Sequence, residues 1–482
     1  MSRMRADATP APTVTTSRGV VAGARTDGIS RFLGIPYALP PFGERRFALP
    51  QEVPAWDGVR DATAFGATTP QDPYFGELGV LLGSVEIPGE DILTVNVWTP
   101  PGASPVGGRP VMVWFHGGAL ERGTAALPGY DGTAFARDGI VFVSVGHRVG
   151  AEGFSVLAGA PRNLGLSDAA AGLRWVQHEI AAFGGDPARI TIFGESAGGA
   201  LVAALLCRPD TAEIPRAAII QSGPLGASPP ERAGRVTRAL AKELGVPATR
   251  AAFAALTPRQ LLDARRRVAA GSTALSSTPG YELAVDPDSL PVSPAEGLVA
   301  SPVPLVIGTN TDEYRLWLTP AELAAISPAK MLLARVAMKV RGAAVRAYRA
   351  ALPGASPGEI LGQIVTDRLL RAPAVRLARA RSAATYVYEF AWRSPVRELW
   401  AAHAVEIAFV FDGVRTASAA PLVGAEPPQQ LAERMHADWV SFARDLDAGW
   451  VRWSSAEQVM RFDADSGVVP LPRAAALDSL PA

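Results

Sequence analysis

Short apolar runs separated by segments of mixed polarity dominate the chain up to about residue 310. Runs of four to eight apolar residues predict strands that are buried on both faces of a parallel sheet. Stretches in which apolar and polar residues alternate predict strands as well. The predicted strands lie at residues 91–99, 111–115, 140–145, 189–193, 217–221 and about 304–310, and the last one lies at 385–390.

Helical segments occupy the intervals between these runs. One is predicted over residues 167–183, because Ser167 and Asp168 are good capping residues and the sequence G-G-D-P follows at 184–187. Another follows the strand at 189–193 and ends near Leu206. Residues 225–280 and 320–380 are rich in Ala, Arg and Leu and predict helical insertions.

The alternation of strands and helices predicts the fold class. It is typical of one doubly wound α/β sheet with helices on both faces, rather than of several independent domains. We therefore expect a single domain over residues 1–482, with its core at 18–462 and irregular tails at 1–17 and 463–482.

Composition narrows the functional classes. The chain has 46 basic and 46 acidic residues, so no overall field attracts it to nucleic acid or to a membrane, although a local patch would not show in this balance. The single cysteine, Cys207, excludes an intramolecular disulfide. The sequence contains neither a signal-like apolar run after Met1 nor about 18 successive apolar residues, and we expect a cytoplasmic protein.

Ser196 is the candidate nucleophile. It lies in G-E-S-A-G, between a predicted buried strand and a predicted helix. A serine displayed at the edge of a sheet needs a turn that is too tight for side chains at the flanking positions, and Gly194 and Gly198 supply it. The alternative is a glycine-rich turn that contains an incidental serine.

The sequence H-G-G-A at 116–119 is a candidate oxyanion loop, since it directly follows the strand at 111–115. A tetrahedral intermediate needs fixed N–H donors where negative charge develops. We expect these donors to be Gly118, Ala119 and Ala197. An ordinary Gly-Gly turn is the alternative for this loop.

A serine nucleophile needs an imidazole to accept its proton. In α/β-hydrolases the base follows the nucleophile along the chain, which leaves His403 and His436. His436 lies within an amphipathic helical pattern, whereas His403 lies in a loop-like segment after a strand, so His403 is predicted to be the base. For His116 we expect a place beside the oxyanion loop, for His147 a loop, and for His178 a helix surface.

An acid must orient that imidazole. Residues 304–313, P-L-V-I-G-T-N-T-D-E, predict a strand followed by two adjacent carboxylates. Spacing alone leaves Asp312 and Glu313 equally eligible.

Several motifs, in order, resemble the type-B carboxylesterase family, which includes cholinesterases and bacterial esterases. The resemblance runs from about Arg18 to Phe442. The motifs are F-L-G-I-P-Y-A, E-D-I-L-T-V-N-V-W, H-G-G-A, N-L-G-L-S-D-A-A-A-G-L-R-W-V, F-G-G-D-P-A-R-I-T-I-F-G-E-S-A-G-G, Q-S-G, G-T-N-T-D-E and H-A-V-E-I-A-F-V-F.

The resemblance implies an α/β-hydrolase fold with a mostly parallel sheet and helical insertions around an active-site gorge. It implies a catalytic triad of Ser196, Glu313 and His403, and so selects Glu313 over Asp312. It makes Gly118, Ala119 and Ala197 the oxyanion donors and places Glu195 and Ser222 near the triad. It further implies two structural ion pairs, Arg46 with Glu90 and Arg148 with Asp168.

Four positions depart from the family pattern. Ile92 stands in place of a disulfide cysteine, and Gly146-His147 replaces the usual Asn-Tyr. Tyr314 and Ala404 replace glycines next to the acid and the base, so we expect added bulk beside the triad.

The function implied is hydrolysis of neutral carboxylic esters, with a small-molecule ester as the only partner and with no cofactor, metal, nucleic acid or membrane. The alternatives are a non-catalytic adhesion-type member of the same fold, or a hydrolase of amides or lactones. Choline esters are disfavoured because residues 66–91 lack the tryptophan that would face a cationic alcohol. The sequence does not indicate the oligomeric state.

Overall fold

A mixed β-sheet forms the centre of the molecule. The computed structural model describes residues 11–102, 104–270 and 280–481, and within these residues the sheet has eleven strands. The strands of the chain are Thr13–Thr15 (β1), Val20–Ala22 (β2), Ala24–Thr26 (β3), Ile29–Pro36 (β4), Val59–Asp61 (β5), Thr94–Thr99 (β6), Arg109–Phe115 (β7), Val141–Val145 (β8), Gly185–Glu195 (β9), Ala217–Gln221 (β10), Leu305–Asn310 (β11), Thr385–Phe390 (β12), Gln458–Phe462 (β13) and Gly467–Pro470 (β14).

The order of strands in the sheet is β14-β13-β12-β11-β10-β9-β7-β8-β6-β4-β3, and β1, β2 and β5 form a small separate sheet. The strands from β8 through β7, β9, β10, β11 and β12 to β13 are parallel, whereas those at both ends are antiparallel. The chain passes from β7 to β8 on one side and then returns to β9 on the other. This reversal opens a crevice at the carboxyl ends of β7 and β9, where α/β sheets bind their ligands.

Helices pack on both faces of the sheet. They are Gly76–Leu82 (α1), Thr133–Arg137 (α2), Gly150–Phe154 (α3), Leu164–Glu179 (α4), Ala197–Leu205 (α5), Pro230–Ala233 (α6), Arg235–Leu244 (α7), Arg250–Ala254 (α8), Pro258–Ala270 (α9), Pro294–Ala300 (α10), Pro320–Ala324 (α11), Pro328–Ala337 (α12), Gly342–Ala351 (α13), Pro357–Thr366 (α14), Ala372–Ala380 (α15), Ile407–Val410 (α16), Ala420–Val423 (α17), Gln429–Asp445 (α18) and Ala474–Asp478 (α19). Short 3₁₀ turns occur at Gly43–Arg45, Pro128–Tyr130, Ile180–Phe183, Glu313–Leu316 and Val396–Glu398, and a π-helical turn at Asp367–Arg371.

Strand β7 shows why the predicted runs were continuously apolar. Val111, Val113 and Phe115 contribute to one hydrophobic core, while Met112 and Trp114 contribute to the core on the other face. All five side chains are fully buried. The mostly parallel α/β sheet with helices on both faces, predicted from the sequence pattern, is confirmed, with β10 and β12 at the expected bounds.

The predicted start of helix α4 was wrong. It begins at Leu164 rather than Ser167, because Leu164 and Leu166 are buried and extend the apolar face by one turn. Asp168 does not cap the helix. It lies within the second turn of α4, where its buried carboxylate binds Arg148. The last predicted turn, Ile180–Phe183, is a 3₁₀ helix.

The predicted irregular tail at 463–482 was also wrong. Strand β13 pairs in parallel with β12, β14 pairs antiparallel with β13, and α19 follows with Ala476 and Leu477 buried. These elements have four or five residues each, too few for a clear periodic pattern. At the other end, the expected irregular tail 1–17 contains β1, which pairs with β2, while residues 1–10 lie outside the described part of the chain.

One of the two ion pairs implied by the resemblance was wrong. Arg46 pairs with Glu152 instead of Glu90, at 2.5 Å between Nη2 and Oε1. Glu90 lies exposed on a loop, whereas Glu152 is buried in α3. The second pair is present, with two 2.7 Å bonds between the buried Arg148 guanidinium and the Asp168 carboxylate.

Candidate active site

Ser196 lies on a sharp turn between β9 and α5. Its backbone has φ 57° and ψ −122°, a conformation that a side-chain-bearing residue adopts only when the surroundings impose it. The two flanking glycines allow the turn: a Cβ on Gly194 would be 2.6 Å from the carbonyl carbon of Gly198, and one on Gly198 would be 2.0 Å from the carbonyl oxygen of Phe115. The strained turn therefore displays the serine at the edge of the sheet.

The H-G-G-A loop lies directly beside this turn, because β7 and β9 are neighbours with Phe115 opposite Gly194. A Cβ on Gly117 would be 3.2 Å from the Cβ of Ser196. Gly118 and Ala119 have positive φ values of 121° and 58°. Within the described residues their N–H groups have no hydrogen-bond acceptor, so they remain free to bind an oxyanion.

His403 is held by Glu313. Its Nδ1 lies 2.5 Å from Oε2 of that carboxylate, and the imidazole is buried. The other carboxylate oxygen, Oε1, accepts hydrogen bonds from Ser222 Oγ at 2.6 Å and from the Asn310 N–H at 2.7 Å. These bonds fix the orientation of the ring and place Ser222 behind the acid.

Asp312, the other carboxylate that the spacing allowed, points elsewhere. Its N–H donates to the carbonyl of Ala401, and its side chain is buried without contacting His403. Burial raises the pKa of Asp312 to about 6. The structure thus joins Glu313, not Asp312, to the imidazole.

Glu195 approaches the opposite side of the ring, with its Oε1 3.0 Å from His403 Nε2. Burial lowers the pKa of His403, but the charges of Glu195 and Glu313 and their hydrogen bonds outweigh burial and raise it well above its usual value. Ser196 and His403 line the same cavity. Among the described contacts, no hydrogen bond joins Ser196 Oγ to the ring.

A third carboxylate, Glu406, lies behind this group and was not singled out from the sequence, although it is part of the H-A-V-E-I motif. Asn310 donates to its Oε2 at 2.6 Å. Burial and the charges of Glu195 and Glu313 raise the pKa of Glu406 to about 8. Its surroundings therefore favour the protonated form of this carboxyl.

A cavity of about 700 Å³ opens in front of Ser196. Trp317 was missed by sequence reasoning because it is brought in by the 3₁₀ turn after Glu313; its ring centroid lies 4.9 Å from that of His403. Ala404 lines the cavity as expected. The prediction for Tyr314 was wrong, since its ring packs on Gly362 of α14 and does not line the cavity.

The apolar wall of the cavity is extensive. It includes Leu81, Leu127, Tyr130, Leu316, Ile407, Phe411 and Leu422. Among the described residues, Arg137 is the one arginine on the wall, and it is paired with Asp138 at 2.8 Å and with Asp412 at 3.0 Å. The cavity thus offers an apolar surface with little unpaired positive charge.

His116 and His147 stack behind the oxyanion loop, with ring centroids 4.3 Å apart and planes at 9°. His116 Nδ1 donates to the carbonyl of Gly117 at 2.9 Å, which fixes the peptide whose N–H belongs to Gly118. Burial lowers the pKa of His116 to about 3, with a smaller effect of His147, and burial lowers that of His147 to about 4. Both rings are therefore neutral at pH 7.

The other two histidines lie away from the cavity. His178 is exposed on α4. His436 is buried on α18, where Nδ1 donates to the carbonyl of Val410 at 2.8 Å and Nε2 lies 3.1 Å from Asp138. Within residues 11–102, 104–270 and 280–481, no three His, Cys, Asp or Glu side chains are grouped so that they could hold a metal ion.

No described helix combines the length and the apolar character needed to cross a membrane.

Comparison with known proteins identifies relatives that belong to one family. The sequence model of the carboxylesterase family matches residues 10–449. The chain is 34% identical over 456 residues to the para-nitrobenzyl esterase of Bacillus subtilis (strain 168), covering 89% of each chain. It is 33% identical over 450 residues to the phenmedipham hydrolase of Pseudarthrobacter oxydans, covering 90% of each.

The similarity extends to solved structures. The crystal structure of the Geobacillus stearothermophilus carboxylesterase EST55 at pH 6.2 superposes with a TM-score of 0.86 at 35% identity, covering 97% of this chain and 100% of that one. By its sequence, its sheet and the serine turn at the sheet edge, the chain belongs to the carboxylesterase family and is a carboxylic-ester hydrolase.

Proposed function

We propose that the chain hydrolyses neutral carboxylic esters through an acyl-enzyme on Ser196, with His403 as the base and Glu313 as the orienting acid. One observation carries the proposal: the imidazole is bonded to Glu313 through Nδ1 and lines the same cavity as a serine on a strained turn. Nδ1 carries the proton that Glu313 accepts, so Nε2 is the nitrogen that exchanges a proton with the substrate groups.

The reaction proceeds in two acyl-transfer steps. Neutral His403 turns Nε2 from Glu195 towards Ser196, and the hydrogen bond between Nε2 and Oγ forms in the substrate complex. Nε2 then takes the Ser196 proton as Oγ attacks the ester carbonyl. The oxyanion then binds the N–H groups of Gly118, Ala119 and Ala197. Protonated His403 releases the alcohol by giving its proton to the leaving oxygen, and the same base activates the water that hydrolyses the acyl-enzyme.

The cavity indicates the substrate class. Its apolar wall and paired arginine favour an uncharged ester, and about 700 Å³ accommodates a group considerably larger than acetyl. We propose that esters with a medium acyl chain or an aromatic alcohol are preferred to acetates of small alcohols. The similarity to a para-nitrobenzyl esterase supports the aromatic-alcohol part of this proposal.

The experiment compares three variants on p-nitrophenyl butyrate. Ser196→Ala is expected to lower kcat by roughly 10⁴-fold or more. Glu313→Gln is expected to lower kcat severely, whereas the matched variant Asp312→Asn is expected to have a milder effect, because Asp312 does not contact the ring. An unchanged rate in Ser196→Ala, or the reverse ranking of the two acids, would contradict the proposal.

A fluorophosphonate probe separates the remaining alternatives. A hydrolase is labelled at Ser196, whereas a binding-only member of the fold is not labelled. Matched ester, amide and lactone substrates then show which type of bond the protein cleaves. If the amide or the lactone were hydrolysed faster than the ester, the proposal would change to that substrate class.

A further inference from the structure

Residues 323–358 differ in charge from the rest of the chain. They contain six basic residues and no Asp or Glu, although the whole chain is balanced at 46 against 46. Five of the six are exposed, and within the described residues none of the six forms an ion pair with a carboxylate. The six are Lys330, Arg335, Lys339, Arg341, Arg346 and Arg349.

Helix α12, in the first half of this segment, exposes an apolar face. Leu332, Leu333 and Val336 are 54%, 61% and 61% exposed. At about 100° per residue these three side chains cluster on one side of the helix, roughly opposite the buried Met331. The helix therefore packs by one face and presents a second apolar face to solvent.

A neighbouring turn extends this surface. Leu369, in the π-helical turn, is 60% exposed. The adjacent Arg368 donates to the carbonyl of Met338, at the carboxyl end of α12. We call the exposed apolar residues of α12 together with Leu369 and the six basic residues the basic apolar face.

We infer that the basic apolar face docks on an anionic phospholipid surface, with its aliphatic side chains in the interface and its cations at the headgroups. Exposed aliphatic side chains next to several cations, here spread over α12, α13 and the turn between them, favour membrane surfaces, because they bury apolar area and attract anionic lipid. A two-fold contact with a second copy would place the same cations opposite each other. Nucleic acid would satisfy the cations but leave the aliphatic side chains without an apolar partner.

This docking does not depend on Ser196 or on the proposed hydrolysis. It implies that the enzyme acts at the surface of a phospholipid bilayer, without entering the bilayer core. The balance of charge over the whole chain concealed this patch, because the acidic residues that compensate it lie outside residues 323–358.

The experiment measures flotation of the full-length protein with vesicles of phosphatidylcholine containing about 30% phosphatidylglycerol, against pure phosphatidylcholine vesicles. Binding is expected only with the anionic vesicles, and it is expected to fall as salt is raised from about 0.05 to 0.5 M. The double variant Arg346→Glu with Arg349→Glu, and separately Leu333→Asp, should each lower the bound fraction by at least about ten-fold.

Val451→Asp is the matched control, since Val451 is 46% exposed and lies far along the chain from this face. A cooperative thermal melt followed by circular dichroism, with a midpoint close to that of the parent, confirms that each variant is folded. Equal binding to both vesicle types, no binding, or full binding by both variants would overturn the inference. Concentration-dependent self-association that Leu333→Asp abolishes would also overturn it, in favour of a second copy.

Discussion

The carboxylate of Glu195 is expected to set the pH at which the enzyme becomes active. His403 accepts a proton only when it is neutral, yet the charges of Glu195 and Glu313 raise its pKa well above the usual value. Activity should therefore rise with pH, and the acidic limb of kcat/KM should have its midpoint above about 6.5. The variant Glu195→Gln removes one of the two charges while keeping the shape of the side chain.

The distance gives the size of the effect. Two unit charges 3.0 Å apart, the separation of His403 Nε2 and Glu195 Oε1, attract by on the order of 5 kcal/mol at an effective dielectric constant of about 20. The Glu195→Gln variant loses this attraction, but another carboxylate restores part of it. Because Glu195 contributes to the raised pKa of Glu406, its removal favours ionisation of Glu406, which returns a negative charge to the site. We expect a net downward shift of the limb by about one to two pH units.

The assay is hydrolysis of a neutral ester followed in a pH-stat from about pH 5 to 10, with kcat/KM fitted at each pH. Asp312→Asn is the matched control, since it removes a buried carboxyl that does not contact His403. The reasoning would be refuted if the acidic limb of the parent had its midpoint below pH 6.5. It would also be refuted if Glu195→Gln left that midpoint unchanged or moved it to higher pH.

Three further predictions follow from single contacts. Gly198→Ala puts a Cβ 2.0 Å from a carbonyl of β7 and should cost about 3 kcal/mol or more in urea unfolding, whereas Gly226→Ala, with no atom within 4 Å of the new Cβ, should cost little. In the parent, the raised pKa of Glu406 makes stability fall as pH rises from about 4.5 towards 8, because only the unfolded state ionises readily; thermal melts of Glu406→Gln should show a smaller fall. His147→Ala removes the ring stacked on His116 and should lower kcat while leaving KM nearly unchanged, whereas His147→Phe should largely restore kcat. Equal kcat values in the two variants would exclude a role of the stack in positioning the oxyanion loop.

Local sequence patterns were sufficient for the parts of the structure that depend on neighbouring residues. The buried strands β7 and β9 and the glycine pair around Ser196 were predictable, because continuous apolar runs and tight turns leave a direct signature.

Contacts between distant segments were not predictable in the same way. Asp312 and Glu313 follow the same strand, and only the 3₁₀ turn that begins at Glu313 determines which carboxylate faces the imidazole. Arg46 pairs with Glu152, 106 residues away, because the fold brings this buried carboxylate of α3 next to the guanidinium, whereas Glu90 lies on an exposed loop. Trp317 entered the cavity for the same reason: its position depends on how a turn packs, which periodicity does not encode.

The C-terminal strands have a consequence for how the chain matures. Strand β11, which leads to Glu313, pairs with β12, and β12 has no neighbour on its far side until β13 and β14 are added. During synthesis from the N-terminus, the outer backbone edge of β12 therefore stays open until β13, which ends at Phe462, has been made and pairs with it. While the residues between Phe390 and Gln458 are being added, the nascent enzyme thus exposes an unpaired strand edge, and pairing with β13 covers it.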